Sequence, residues 1–124
     1  MNIYRYQTDG GKDLILEYIN KLPKKQKATA VAFCFLGNKG VAIQTKLQVD
    51  GLKAIDILDT RQLKKKLWEI KFGDNRLMYV IADADNLYIL HACKKQKGKA
   101  EQFELNKAIE RAKELGRELG KSFV

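Results

Sequence analysis

One stretch constrains this chain more than any other. From Leu63 to Lys99 it reads LKKKLWEIKFGDNRLMYVIADADNLYILHACKKQKGK. Three apolar runs, Leu67–Phe72, Arg76–Ala82 and Leu87–Cys93, are separated by Gly73-Asp74 and by Asp83–Asn86. Alternation, β-branched and aromatic residues, and turn residues between the runs specify an antiparallel meander.

Turn positions fix the pairing. With Gly73-Asp74 as the first loop, Phe72 faces Asn75, Lys71 faces Arg76 and Glu69 faces Met78. With Ala84-Asp85 as the second, Met78 faces His91 and Arg76 faces Cys93. Side chains alternate across a strand. One face then carries Leu67, Glu69, Lys71, Arg76, Met78, Val80, Ile89, His91 and Cys93. The other carries Trp68, Ile70, Phe72, Leu77, Tyr79, Ile81, Tyr88, Leu90 and Ala92. The second set is apolar or aromatic throughout and is expected to form the core. A one-residue slip would scramble both sets.

The flanking segments read as helices around this sheet. Met1–Thr8 alternates and suits a first strand. Leu14, Ile15, Tyr18, Ile19 and Leu22 recur at helical spacing, which predicts a helix over Lys12–Leu22. Pro23, the only proline, suits the start of a second helix over Lys24–Leu36, ended by Gly37 and Gly40. These two helices are expected to pack as a hairpin on the apolar sheet face. Val41–Lys66 has no decisive period, apart from a turn at Asp50-Gly51. Glu101–Leu119 carries one apolar stripe, Leu105, Ala108, Ile109, Ala112, Leu115 and Leu119, and predicts a C-terminal helix. Gly116 and Gly120 are expected to weaken its last turns.

The 124 residues fit one domain, 1–124, with a modest core. A formal charge of +9 points to a polyanionic partner. No apolar run is long enough to span a bilayer. The N-terminus has polar residues where a signal peptide needs a continuous apolar region. Cys34 and Cys93 form neither a disulfide framework nor a metal pattern. A reduced, cytoplasmic chain is therefore expected.

Several residues stand out chemically. Lys71 opposite Arg76 places two cations side by side, which a stability-only sheet avoids. One reading is a phosphate seat, with Arg76 forked on the phosphate oxygens. The plainer one is a solvated face on which Glu69 offsets the charge. His91, the only histidine, suits a general acid or base, or a half-buried structural role. Lys94, Lys95, Lys97 and Lys99 form a cationic loop after the last strand, and Lys64, Lys65 and Lys66 precede the first. Both runs fit an RNA backbone, or simple solubility. The aromatics read as packing groups. Cys93 lacks the partners of a nucleophilic cysteine.

Taken together, Leu67-Trp68-Glu69-Ile70-Lys71, Asn75-Arg76-Leu77-Met78-Tyr79, Leu90-His91-Ala92 with Lys94-Lys95, and the terminal helix with Ala108, Arg111 and Ala112 resemble a known family. They are similar to the phage-derived, HigB-like branch of the RelE/ParE toxin superfamily. The likeness covers the last half of the chain, and the helical hairpin fits the family's order. It implies a compact α+β fold: a twisted antiparallel sheet packed by an N-terminal helical hairpin, with a C-terminal helix. It also implies the toxin of a type II toxin–antitoxin system, cutting mRNA in the 70S ribosomal A site without metal or other cofactor. The ribose 2′-hydroxyl would attack the adjacent phosphate. By position, Arg76 matches the strand arginine at the scissile phosphate. Lys71 stands where arginine is frequent, and Lys94 and Lys95 match the basic pair after the last strand. The implied partner is a cognate antitoxin with a helix-turn-helix domain, whose contact is expected to include the C-terminal helix. Two rivals share these features: a ParE-like gyrase poison without nuclease activity, and a non-enzymatic basic RNA-binding phage protein.

Overall fold

The computed structural model describes residues 2–34 and 60–124. Its elements run β1 (Asn2–Arg5), α1 (Leu14–Asn20), α2 (Lys24–Cys34), β2 (Thr60–Lys64), β3 (Leu67–Phe72), β4 (Asn75–Ile81), β5 (Asn86–Lys94) and α3 (Lys99–Leu119). The strands form one sheet in the order β1-β5-β4-β3-β2. The expected turns at Gly37 and Gly40 and at Asp50-Gly51 lie outside the described residues, as do the runs 41–47 and 52–58.

The β3–β4 register is the one that the Gly73-Asp74 turn dictates: Phe72 pairs with Asn75, Lys71 with Arg76 and Glu69 with Met78. Gly73 has φ +57, and a Cβ there would meet the Gln26 amide at 2.5 Å. A side chain would therefore be strained by both the turn and its neighbour. Asn75, just after the turn, ties the hairpin of strands to the hairpin of helices. Its Nδ2 donates to Gln26 Oε1 at 2.6 Å, and Tyr18 Oη donates to its Oδ1 at 2.6 Å.

Along β4–β5 the expected pairs Arg76–Cys93 and Met78–His91 form, but the register then shifts. Tyr79 pairs with Ile89, leaving Leu90 as an extra residue on β5. This bulge corrects the assignment of faces. Ile89 joins Ile70, Leu77 and Tyr79 on the α1/α2 side, together with Ile15, Ile19 and Ala30. Leu90 and Tyr88 turn to the opposite side.

The opposite side is the larger correction. The face expected to be polar is covered by α3. Leu67, Met78, Val80, Leu90 and Cys93 pack there against Ala108, Ala112 and Phe123. The architecture is thus helix layer, sheet, helix, with apolar packing on both sheet faces. Each fully buried Leu or Ile contributes on the order of 1.5–3 kcal/mol. Leu119, expected in the apolar stripe, is exposed instead. Gly116 is buried in its place, where the tail turns back over the helix.

Two further differences concern the ends. The sheet is mixed, because β1 pairs parallel with β5. β1 covers that edge of β5, and from it Ile3 reaches the core, 5% exposed. α1 starts at Leu14 rather than Lys12, because Asp13 takes the cap. Its Oδ1 accepts from Leu16 N at 2.9 Å, while Oδ2 accepts from Arg5 Nε at 2.8 Å. β2 was not expected at all. A bulge leaves its Leu63 unpaired and breaks the alternation that would have revealed it.

Candidate functional site

At the Gly73-Asp74 end of the sheet, beside the loop leaving β5, lies an open cleft of about 450 Å³. Arg61 from β2, Lys71 from β3, Asp74 from the turn, Arg76 from β4, Lys95, Gln96 and Lys97 from the loop, and Glu101 from α3 line it. Lys71 and Arg76 are directly paired across β3 and β4. The loop is held over the turn by Lys95 N, which donates to Asp74 O at 2.6 Å.

Glu69 resolves the repulsion between these cations. Its side chain is fully buried. Its carboxylate lies 3.0 Å from Arg61 Nε, 3.5 Å from Arg76 Nη1 and 3.8 Å from Lys71 Nζ. Glu101 closes the arrangement from above, with Oε1 3.5 Å from Arg76 Nη1 and 3.7 Å from Arg61 Nη2. Two guanidiniums and two carboxylates therefore alternate. Arg76 retains only 7% of its side-chain exposure, and its Nε has no hydrogen-bond partner among the described residues.

His91 lies two residues farther along the sheet, under α3. Its Nε2 meets Glu104 Oε2 in a short contact, and its Nδ1 lies 3.0 Å from Arg111 Nη1. Burial pushes the imidazole below its ordinary value; Arg111 and Lys107 add to this, and Glu104 opposes it without reversing it. His91 is thus a neutral group clamped between sheet and helix, 7% exposed. It does not line the cleft.

His91, Cys93 and Glu104 place three possible ligand atoms within 4.8 Å of one another. The sequence offers no such cluster, because Glu104 arrives from another element. The surroundings fit a metal poorly. Arg111 can only donate, so Nδ1 accepts and the proton sits on Nε2, the nitrogen that faces the other two groups. A fixed guanidinium beside the ring also opposes a divalent ion. Burial, with Glu104 second, pushes the Cys93 thiol up to about 12. Burial, with Cys93 and Glu104 adding, likewise pushes the Tyr18 hydroxyl up to about 12.

The structure therefore brings together Arg76, Lys71, Lys95 and Lys97. Lys94 points to the other side and lines a separate cavity with Tyr18, Gln26 and Asn75. Lys64, Lys65 and Lys66 form the β2–β3 turn at the far end of β3, where Lys66 N donates to Phe123 O at 3.0 Å. Lys99 is exposed in the first turn of α3 and is not part of the cleft wall. Sequence reasoning missed Arg61, Glu101, Glu104 and Arg111 as parts of this region. Glu101, Glu104, Ala108, Arg111 and Ala112 follow one helical face, so the two acids and the arginine were readable as polar members of the buried stripe.

The family model described as Phage derived protein Gp49-like (DUF891) matches residues 17–113. The chain belongs to this family, the phage-derived, HigB-like branch to which its meander was likened. No curated protein matches the chain. A chain of the crystal structure of the toxin-antitoxin complex RelBE2 from Mycobacterium tuberculosis is similar over 76% of this chain and 96% of that chain. The two are 20% identical, with a TM-score of 0.45. Among the described residues, no helix is long and apolar enough to cross a membrane.

Proposed function

We propose that this Gp49-like chain is the toxin of a type II toxin–antitoxin system and acts as a metal-independent mRNA endoribonuclease on the ribosome. The observation that carries the reading is the cleft itself. Five cationic side chains, Arg61, Lys71, Arg76, Lys95 and Lys97, converge there on one opening. A chain of net charge +9 meets RNA readily, but scattered lysines would do as much. Convergence of five cations on one cavity is what stabilising a phosphorane requires.

In this mechanism the 2′-hydroxyl gives its proton to solvent water as its oxygen bonds to the adjacent phosphorus, and the bond from phosphorus to the 5′-oxygen breaks. The products are a 2′,3′-cyclic phosphate and a free 5′-hydroxyl. Arg76 and Lys71 hold the equatorial oxygens as charge builds on them. Lys95, on the cleft wall, donates the proton to the departing 5′-oxygen. Lys97 and Lys99 guide the strand towards the cleft, and Lys64, Lys65 and Lys66 contact RNA or ribosome at a distance. Lys94 acts on the same strand from the other face. His91 serves indirectly, by fixing the start of α3 through Glu104. A cognate antitoxin with a helix-turn-helix domain silences the protein. With α3 seated on the sheet, the α1/α2 hairpin is left as a docking surface for it, and contact at the C-terminal helix is confined to that helix's outer side.

Primer extension on translated messages after induction tests the proposal. New 5′ ends inside reading frames support it, and their loss with Arg76→Lys assigns the chemistry to the forked guanidinium. Intact messages with accumulated cleaved DNA–gyrase complexes would instead establish the gyrase-poisoning alternative.

A further inference from the structure

The Arg61–Arg76 pair is more specific than a general basic surface. Both guanidiniums approach the same oxygen, Glu101 Oε1, at 3.7 and 3.5 Å. Those separations are ion-pair distances, too long for hydrogen bonds. One carboxylate oxygen is thus shared by two forks and satisfies neither. Arg76 Nε remains buried without a hydrogen-bond partner among the described residues.

We infer that Arg61 and Arg76 form a seat for a single phosphodiester group, and that Glu101 occupies this seat in the free chain. The inference rests on the proposed action on RNA and extends it with a second guanidinium and an internal competitor. A tetrahedral phosphate presents oxygens in several directions and can meet two forks from two strands at once, whereas Glu101 offers both arginines one oxygen and bonds neither. Glu69 lies on the inner side, fully buried, and holds both arginines from below. It cannot be the group that yields. Glu101 can: its side chain is 37% exposed, and it stands in the first turn of α3. The anchored part of the helix begins one turn on, with Glu104 on His91 and then Ala108 and Ala112 in the core. RNA binding therefore exchanges one anion for another over the same two arginines.

The test uses the full chain and inorganic phosphate as probe, reading the Nε–H resonances of Arg61 and Arg76 by NMR. Both resonances should move together on titration. Glu101→Gln, which keeps the shape and removes the charge, should lower the half-saturating phosphate concentration about fivefold, the size of an exposed ion-pair competition. Glu110→Gln, on the exposed side of the same helix, should not change it. Adding Arg61→Ala to Glu101→Gln should abolish the gain. An unchanged half-saturation in Glu101→Gln, or movement of Arg76 without Arg61, overturns the inference. The two readings fail separately. If phosphate behaves as described while translated messages stay intact, the seat stands and the nuclease reading falls. If messages are cut while Glu101→Gln changes nothing, the seat falls and the nuclease reading stands.

Discussion

Arg111 Nη1 lies 3.0 Å from His91 Nδ1, and this distance fixes the state of the only histidine. A guanidinium has donors and no acceptor. The imidazole must therefore accept at Nδ1, carry its proton on Nε2 and donate that proton to Glu104. Arg111 also donates to Leu90 O at 2.8 Å and stacks over the Tyr6 ring at 4.3 Å. One side chain thus ties the bulge in β5, the tautomer of His91 and the middle of α3.

The first prediction follows from this chain of donors. Long-range nitrogen–proton NMR at pH 7.5 should show His91 with Nδ1 bare and Nε2 protonated. Arg111→Met should abolish that preference. It should also destabilise the fold by about 2 kcal/mol in urea, the range for hydrogen bonds to charged groups. Mixed tautomers in the unaltered protein would contradict the geometry.

The second concerns pH. His91 is held below its ordinary value of 6.5, chiefly by burial. The folded chain then binds fewer protons than the unfolded chain as pH falls below about 6.5. Stability is fully present above that point and declines as the unfolded state protonates. Urea midpoints measured at pH 7.5 and 5.5 should fall more for the unaltered protein than for His91→Gln. An equal fall in the two would remove the assignment.

The third concerns Cys93. Its thiol is buried and pushed up to about 12. Thiolate is the reactive form. Iodoacetamide at pH 8 should leave the Cys93 peptide unmodified in the folded chain and modify it in urea, as read by mass spectrometry. The same shift has a stability sign. Above about pH 9 the unfolded thiol ionises first, so stability is lost as pH rises from there.

Glu69 gives a fourth. Replacing it with Gln leaves Arg76 buried with only Glu101, equally near at 3.5 Å but partly exposed, and leaves Lys71 facing Arg76 without the intervening carboxylate. Breaking a buried pair by removing one partner typically costs 3–5 kcal/mol. Because Arg61 is half exposed and can rehydrate, about 3 kcal/mol is expected for Glu69→Gln. Arg61→Gln should cost about 1 kcal/mol or less. Urea denaturation of the two variants checks the ranking, and a cost for Arg61→Gln equal to that of Glu69→Gln would refute it.

How much of this was legible in the sequence depended on what each feature is made of. The pairing of Lys71 with Arg76 was readable, because Gly73-Asp74 sets a hairpin register locally. The bulge at Leu90 was not. It is visible only once β5 packs between two helix layers, with Leu90 against the α3 face and Ile89 against the α1 face. The burial of the second face has a sign in the sequence. Leu67, Met78, Val80 and Cys93 lay on the face assigned to solvent, while the α3 stripe lacked a partner. Arg61 stood in a stretch without period, so nothing local marked it as the second guanidinium of the cleft.

Gly116 supplies the last prediction, and it runs against helix propensity. In an exposed helix interior, Gly→Ala gains about 1 kcal/mol. Gly116 sits in α3 but is buried, and a Cβ there would lie 2.4 Å from Lys121 O. That oxygen is backbone and cannot swing aside as a side chain can. It belongs to the tail that folds back after Gly120, where Lys121 N donates to Gly116 O at 2.9 Å. The same tail buries Phe123 to 1% exposure and gives Phe123 O to Lys66 N at 3.0 Å. A methyl group at position 116 must push the tail off the helix or move the helix off the sheet. Either outcome exceeds the propensity gain, since overpacking costs about 1–3 kcal/mol and loss of the Phe123 contacts adds to it. Gly116→Ala should therefore destabilise by about 2 kcal/mol, and Phe123→Ala by a similar or larger amount. The double variant should cost less than the sum, because both changes release the same tail. Additive costs, or a stabilised Gly116→Ala, would show that the tail does not pack on the helix in solution.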